Sequence, residues 1–182
     1  MSQFNVLLLA EQHDAAALKL SIRSFSDMYH SETPKHQRNM KLTVVVPPKS
    51  TSSKRTVEQL ISDNEIASVT SLHFVTIDEA IDSVYADTSI LLQSAEPKDC
   101  TPYRSALSYS IPIVWRDSKR LQECIDYTCG IRVHYDTKEQ YISDCSRFLL
   151  ALYHDEGAYR MLRNGAKKQY EATIAQPSLR RA

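Results

Sequence analysis

The residues best equipped for chemistry gather in the loop 94–102, which reads Ser-Ala-Glu-Pro-Lys-Asp-Cys-Thr-Pro and carries Glu96, Asp99 and Thr101. Two carboxylates three residues apart fit acid–base work or the holding of a cation. Beside Lys98 they fit equally well as two solvated loop acids. His13 follows the first apolar run and can bind an anion, act as a base, or sit as an ordinary surface histidine. Tyr103, Tyr109 and Trp115 flank the loop and suit either ring stacking or core packing. No Ser–His–Asp or Cys–His arrangement can be argued from spacing.

Glycine is scarce. Only Gly130, Gly157 and Gly165 occur, so there is neither a G-x-G-x-x-G turn nor a Walker A loop. Pyrophosphate binding at such turns needs close approach of bare backbone, which side chains obstruct. Cys100, Cys124, Cys129 and Cys145 show no C-x-x-C spacing and read as reduced, buried or half-buried thiols. No metal-ligand set and no cofactor are expected.

The elements that must position the loop follow from hydrophobic pattern. Ile90–Leu92 is an apolar run that ends in the loop. Pro102 suits the first position of a short helix reaching Ser110, and Ile111–Trp115 starts another strand. That strand–loop–helix–strand unit is the repeating piece of parallel α/β folds, whose ligands sit outside the carboxyl ends of the strands.

Further strands are expected at 4–10, 41–46, 69–76 and 130–135. Helices are expected at 15–30, 55–65, 79–85, 118–127, 138–154 and 156–174. Thr137 and Gln140 have capping-box spacing. Residues 31–40 read as an exposed loop and 50–53 as a polar linker. The alternation predicts an α/β, Rossmann-like, doubly wound and mostly parallel sheet of about six strands. The expected domain is 1–175, with a frayed basic tail at 176–182.

The chain has 182 residues, enough for one full core. Its 22 basic and 22 acidic side chains cancel, so no global field favours nucleic acid or a membrane surface. No apolar run nears the roughly 18 residues that span a bilayer. The start has no basic leader, which makes a cytoplasmic location the expectation.

Three blocks carry a family resemblance. The first is the strand Val6-Leu-Leu-Leu-Ala10 with the helix segment Leu20-Ser-Ile-Arg-Ser-Phe25. The second is Ser105-Ala-Leu-Ser-Tyr-Ser-Ile-Pro112-Ile-Val114. The third runs from Gly130-Ile-Arg-Val-His-Tyr135 to Tyr170 and includes Gly165-Ala-Lys-Lys. Together they resemble the C-terminal, donor-binding half of retaining GT-B glycosyltransferases of the family-4 type. The resemblance implies a nucleotide-sugar donor site. It places the family's diphosphate-clamping Arg on His13 and Lys on Ala16, its ribose-holding Glu on Ser105, and its other Glu on Glu96 or Asp99. The turn glycines fall on Lys98, Asp99 or Cys100. The donor-binding candidates are therefore His13, Glu96, Asp99, Thr101 and Ser105, with no catalytic residue named.

The resemblance implies a degenerate donor-half domain that binds a nucleotide-sugar weakly and acts as a binding or partner module. The alternative is the donor-binding part of a working transferase completed by an acceptor half. A third reading is a Rossmann-like module for a small anion or nucleotide. Association with a second copy or another chain is expected through the strand-end loops, with Pro47, Pro48, Cys100, Pro102 and Tyr103 on that face.

Overall fold

The computed structural model describes residues 3–10, 15–46, 48, 51–76, 83–96 and 100–175. Among the described residues there are six strands: β1 Phe4–Leu9, β2 Met40–Val45, β3 Thr70–His73, β4 Ile90–Gln93, β5 Ile113–Arg116 and β6 Gly130–Val133. They form one sheet in the order β3-β2-β1-β4-β5-β6. Every pairing is parallel. The order reverses at β1, which lies between β2 and β4 with Leu8 facing Val44 on one side and Leu92 on the other. This is the doubly wound arrangement that the alternation predicts, and its crevice falls beside β1 and β4.

A parallel sheet is covered on both faces, so its central strands are predominantly apolar. All six residues of β1 are buried. Their alternation divides two cores. Phe4, Val6 and Leu8 point into one, with Leu42, Val44, Ile90, Leu92 and Val114. Leu7 and Leu9 point into the other, with Val45, Leu91, Ile113 and Trp115.

The helices are α1 Ala15–Ser31, α2 Pro34–Gln37, α3 Thr51–Asp63, α4 Thr101–Ser108, α5 Lys119–Gln122, α6 Lys138–His154 and α7 Glu156–Ala175. Ile22, Phe25 and Met28 of α1, Val57 and Ile61 of α3, and Tyr141, Cys145 and Leu149 of α6 cover the first face. Tyr103, Ala106 and Leu107 of α4, Leu121 of α5 and Ala166 of α7 cover the second. The Thr137 hydroxyl accepts the Gln140 N–H at 3.1 Å, so α6 starts at the expected cap.

Several expected boundaries shift for local reasons. The loop expected at 31–40 contains the short helix α2, started by Pro34 at its N-terminus. The 50–53 linker gives way to α3, which begins at Thr51. α4 starts one residue before Pro102 and ends in a Schellman turn. There Ser110 takes a left-handed φ of 58°, and the Ile111 N–H donates to the Ala106 carbonyl at 3.0 Å. The helix expected at 118–127 is only α5, because the Asp126 carboxylate accepts the Thr128 N–H at 2.8 Å and fixes a turn. β6 stops at Val133, which leaves His134 and Tyr135 in the following loop. The helix expected at 79–85 lies mostly outside the described residues, although Val84 and Tyr85 are buried in the second core. Among the described residues no helix is long and apolar enough to cross a membrane.

Candidate functional site

A pocket opens where the fold predicts one, at the carboxyl ends of β1 and β4. It spans about 280 Å³ including the solvent at its mouth. Residues 8–10, Ala17, Leu18 and Ser21 of α1, and residues 92–95 line it. Every one of these side chains is uncharged.

A run of hydroxyls forms the floor. The buried Ser21 donates to Ser94 at 2.6 Å, and the Ser94 and Tyr141 oxygens lie 2.8 Å apart. Thus α1, the end of β4 and α6 are joined through polar atoms inside an apolar wall. Burial pushes the Tyr141 phenol well above its ordinary range, so it stays protonated. Cys145, packed behind it, is pushed up to about 12 by burial and is an inert thiol. Gln93 is 2% exposed, and its amide donates to the Ala95 carbonyl at 3.0 Å, which fixes the turn out of β4.

The sequence-derived candidates are placed differently. His13 and Asp99 lie outside the described residues. Glu96 is exposed in the loop after β4, and Thr101 is exposed as the first residue of α4. Ser105 is half-buried on α4, and its carbonyl accepts the Ser108 hydroxyl at 2.7 Å. None of these three lines the pocket. Sequence reasoning pointed to the end of β4, beside which this pocket opens, and named none of Ser21, Ser94 and Tyr141. The available signal was weak: Ser94 closes an apolar strand, and Ser21 interrupts the apolar face of α1.

Two other expectations are corrected. Cys100 and Cys124 are paired as a disulfide, with Cα atoms 5.9 Å apart, rather than being separate thiols. The N-terminus of α4 and the turn after α5 converge over the second core and bring them together. Tyr103 and Pro102, assigned to an exposed association face, are both buried on the inner side of α4.

Ionisable groups gather instead beyond β5 and β6. Asp117 lies 3.6 Å from Arg132 and 3.7 Å from His134, which also meets Asp136 at 3.0 Å. The His134 and Asp136 side chains are largely exposed, and pairs of this kind contribute little to stability.

Neither a protein-family model nor a curated protein sequence matches the chain. Solved structures do. WaaG, a glycosyltransferase involved in lipopolysaccharide biosynthesis, superposes over 93% of this chain with a TM-score of 0.73 at 16% identity. Anabaena HepE, solved with UDP and glucose, superposes over 94% with a TM-score of 0.70 at 11% identity. The C-terminal domain of the glycosyl transferase LpcC from Francisella tularensis superposes over 95% with a TM-score of 0.67 at 13% identity.

The fold is the Rossmann-like half domain of GT-B glycosyltransferases. The shares covered agree with a half. The chain spans 43% of WaaG and 44% of HepE, but 85% of the isolated LpcC C-terminal domain. Identities this low establish the GT-B half-domain fold and leave activity to the site.

Proposed function

We propose that this chain is a degenerate GT-B donor-half domain of the family-4 type, without transfer activity of its own, that serves as a binding or partner module. The observation that supports this reading is that every described residue lining the strand-end pocket is uncharged. A nucleotide-sugar diphosphate needs cations or converging N–H groups to offset the loss of water. On the family resemblance, the clamping Lys position is Ala16, exposed at the start of α1, and the ribose carboxylate position is Ser105. On this reading the fold is kept, while two groups that would grip a donor are replaced, at Ala16 and Ser105.

Calorimetric titration with UDP and with GDP tests this. The expected dissociation constants are weaker than about 1 mM, or roughly −4 kcal/mol. No transfer or hydrolysis of UDP- or GDP-sugars is expected. Micromolar binding would overturn the reading.

The coverage favours one alternative. WaaG and HepE each contain more than twice the length matched here. An acceptor half, on a second chain or in a part of the protein outside this sequence, would complete a working transferase. That reading requires donor turnover to appear when that half is added, which the module reading excludes.

A further inference from the structure

We propose that Glu32, His36 and His154 form a zinc site, independent of the pocket at the strand ends. Glu32 follows α1, His36 is in α2 and His154 ends α6. α1 runs back along the sheet from the end of β1, and β2 begins soon after α2. The cluster therefore lies at the amino-terminal edge of the sheet, away from the pocket. One donor atom from each of the three residues lies within 4.8 Å of the others. Glu32 Oε2 is 2.6 Å from His36 Nδ1, and Glu32 Oε1 is 2.5 Å from His154 Nε2.

The donor set has the right chemistry. Two imidazole nitrogens and one carboxylate are a common three-ligand set for zinc, with water completing a tetrahedron. The carboxylate is held and the imidazoles are accessible. The Glu32 side chain is 9% exposed, against 39% for His36 and 46% for His154. An ion can therefore enter from solvent and keep a water on its open side.

The scaffold holds the donors in place. The His36 N–H donates to the Thr33 carbonyl at 2.9 Å, and the Gln37 amide donates to the Tyr29 carbonyl at 2.9 Å. The Tyr153 ring packs edge-on against both imidazoles, with centroids 5.8 Å from His36 and 4.9 Å from His154.

Binding requires a small, balanced rearrangement. Each imidazole presents the lone pair of its inward nitrogen, and its proton resides on the other ring nitrogen or leaves to solvent. Bonds of about 2.0–2.2 Å spread a nitrogen and an oxygen on one ion to roughly 3.4 Å. The two hydrogen-bond distances must therefore open by less than about 1 Å, which rotation of the exposed His154 ring can supply. The bound ion ties the α1–α2 connection to the end of α6. Spacing concealed the site, because Glu32 and His36 stand four residues apart across the break between α1 and α2, while His154 lies 122 residues from Glu32.

The test uses the full chain stripped with a chelator. Zn²⁺ is titrated by calorimetry and against a chromophoric chelator, and Co²⁺ is added to read coordination from its visible spectrum. The expected result is one ion per chain with micromolar or tighter affinity, a four-coordinate Co²⁺ spectrum, and a higher melting temperature with zinc. His154→Ala and His36→Ala should each weaken binding at least about tenfold and abolish the melting shift. His134→Ala, in the other surface histidine cluster, should change neither. Circular dichroism of the metal-free variants confirms that they fold, and both substituted side chains are accessible enough to tolerate removal. Absence of stoichiometric binding overturns the proposal. So does binding that survives both histidine substitutions, or binding that is lost in Cys100→Ser and kept in His154→Ala.

Discussion

The hydroxyls of Ser94 and Tyr141 lie 2.8 Å apart, which ties the end of β4 to the buried face of α6 beneath the pocket. Ser94 also accepts the Ser21 hydroxyl at 2.6 Å. Tyr141→Phe removes one partner and leaves Ser94 with the other, so it should cost about 1 kcal/mol. Ser94→Ala removes the partner of Ser21 and leaves Tyr141 with only its Cys145 contact, so it should cost more, about 2 kcal/mol. The two losses should fall short of additive in the double variant, because the groups share one bond. Urea unfolding of the four proteins measures this. Strict additivity would show that the contact contributes nothing.

The fold was legible where burial leaves its mark on the chain. β1 and β4 are mostly apolar because each is covered on both faces, with Asn5 and Gln93 as buried polar exceptions. α6 was legible to the residue because Thr137 caps it and its inward positions recur at helical spacing. The site was legible only as a location. A serine in an apolar face gives the same pattern whether it bonds its own backbone, as Ser24 does with the Leu20 carbonyl, or reaches across to another element, as Ser21 does. Tyr103 shows the opposite error. Its place beside a polar loop marked it as a surface anchor, yet it shares the inner side of α4 with Ala106 and Leu107. Tyr103→Glu would consequently unfold the domain rather than report on association.

Gly165 permits the packing of α7. A Cβ at this position would lie 1.8 Å from the Thr128 carbonyl oxygen and 2.5 Å from its carbon. The obstacle is backbone, which cannot rotate aside. Gly165→Ala should therefore destabilise by about 2–3 kcal/mol despite alanine's better helix propensity. At Gly157 the same Cβ meets only the Asp155 carboxylate, at 3.2 Å, so Gly157→Ala should stay within about 0.5 kcal/mol of wild type. Denaturant midpoints of the two variants should separate clearly. Equal midpoints would contradict the close packing of α7 on the turn before β6.

Alkaline conditions should weaken the fold through its buried thiols. Burial raises both Cys129 and Cys145 from 9.0 to about 12. An unfolded thiol ionises near its ordinary value, while the native thiol keeps its proton. The unfolded state therefore binds fewer protons between these limits. The stabilising contribution is complete below about pH 9 and is lost as the pH rises toward 12. Between about pH 8 and about pH 10.5, each thiol should contribute a loss of roughly 2 kcal/mol. Comparing wild type with Cys145→Ala at both values isolates one thiol from the general titration of lysine and tyrosine. The variant should lose less stability than wild type over the same interval.

The disulfide between Cys100 and Cys124 makes the clearest solution prediction. Cys100 stands at the N-cap of α4, and Cys124 lies just past α5, at a sequence separation of 24. Closing a loop of that size in the unfolded chain should stabilise the native state by about 3 kcal/mol. The remaining cysteines, Cys129 and Cys145, are buried and unpaired. A thiol count on unfolded, unreduced protein should therefore give two, and reduction should raise it to four. Reductant should lower the denaturant midpoint of wild type and leave that of Cys100→Ser unchanged. The expected change is in stability rather than in fold, because α4 remains anchored by Tyr103, Ala106 and Leu107 in the second core. Four thiols without reduction, or midpoints indifferent to reductant, would show that the two sulfurs do not form the bond in solution.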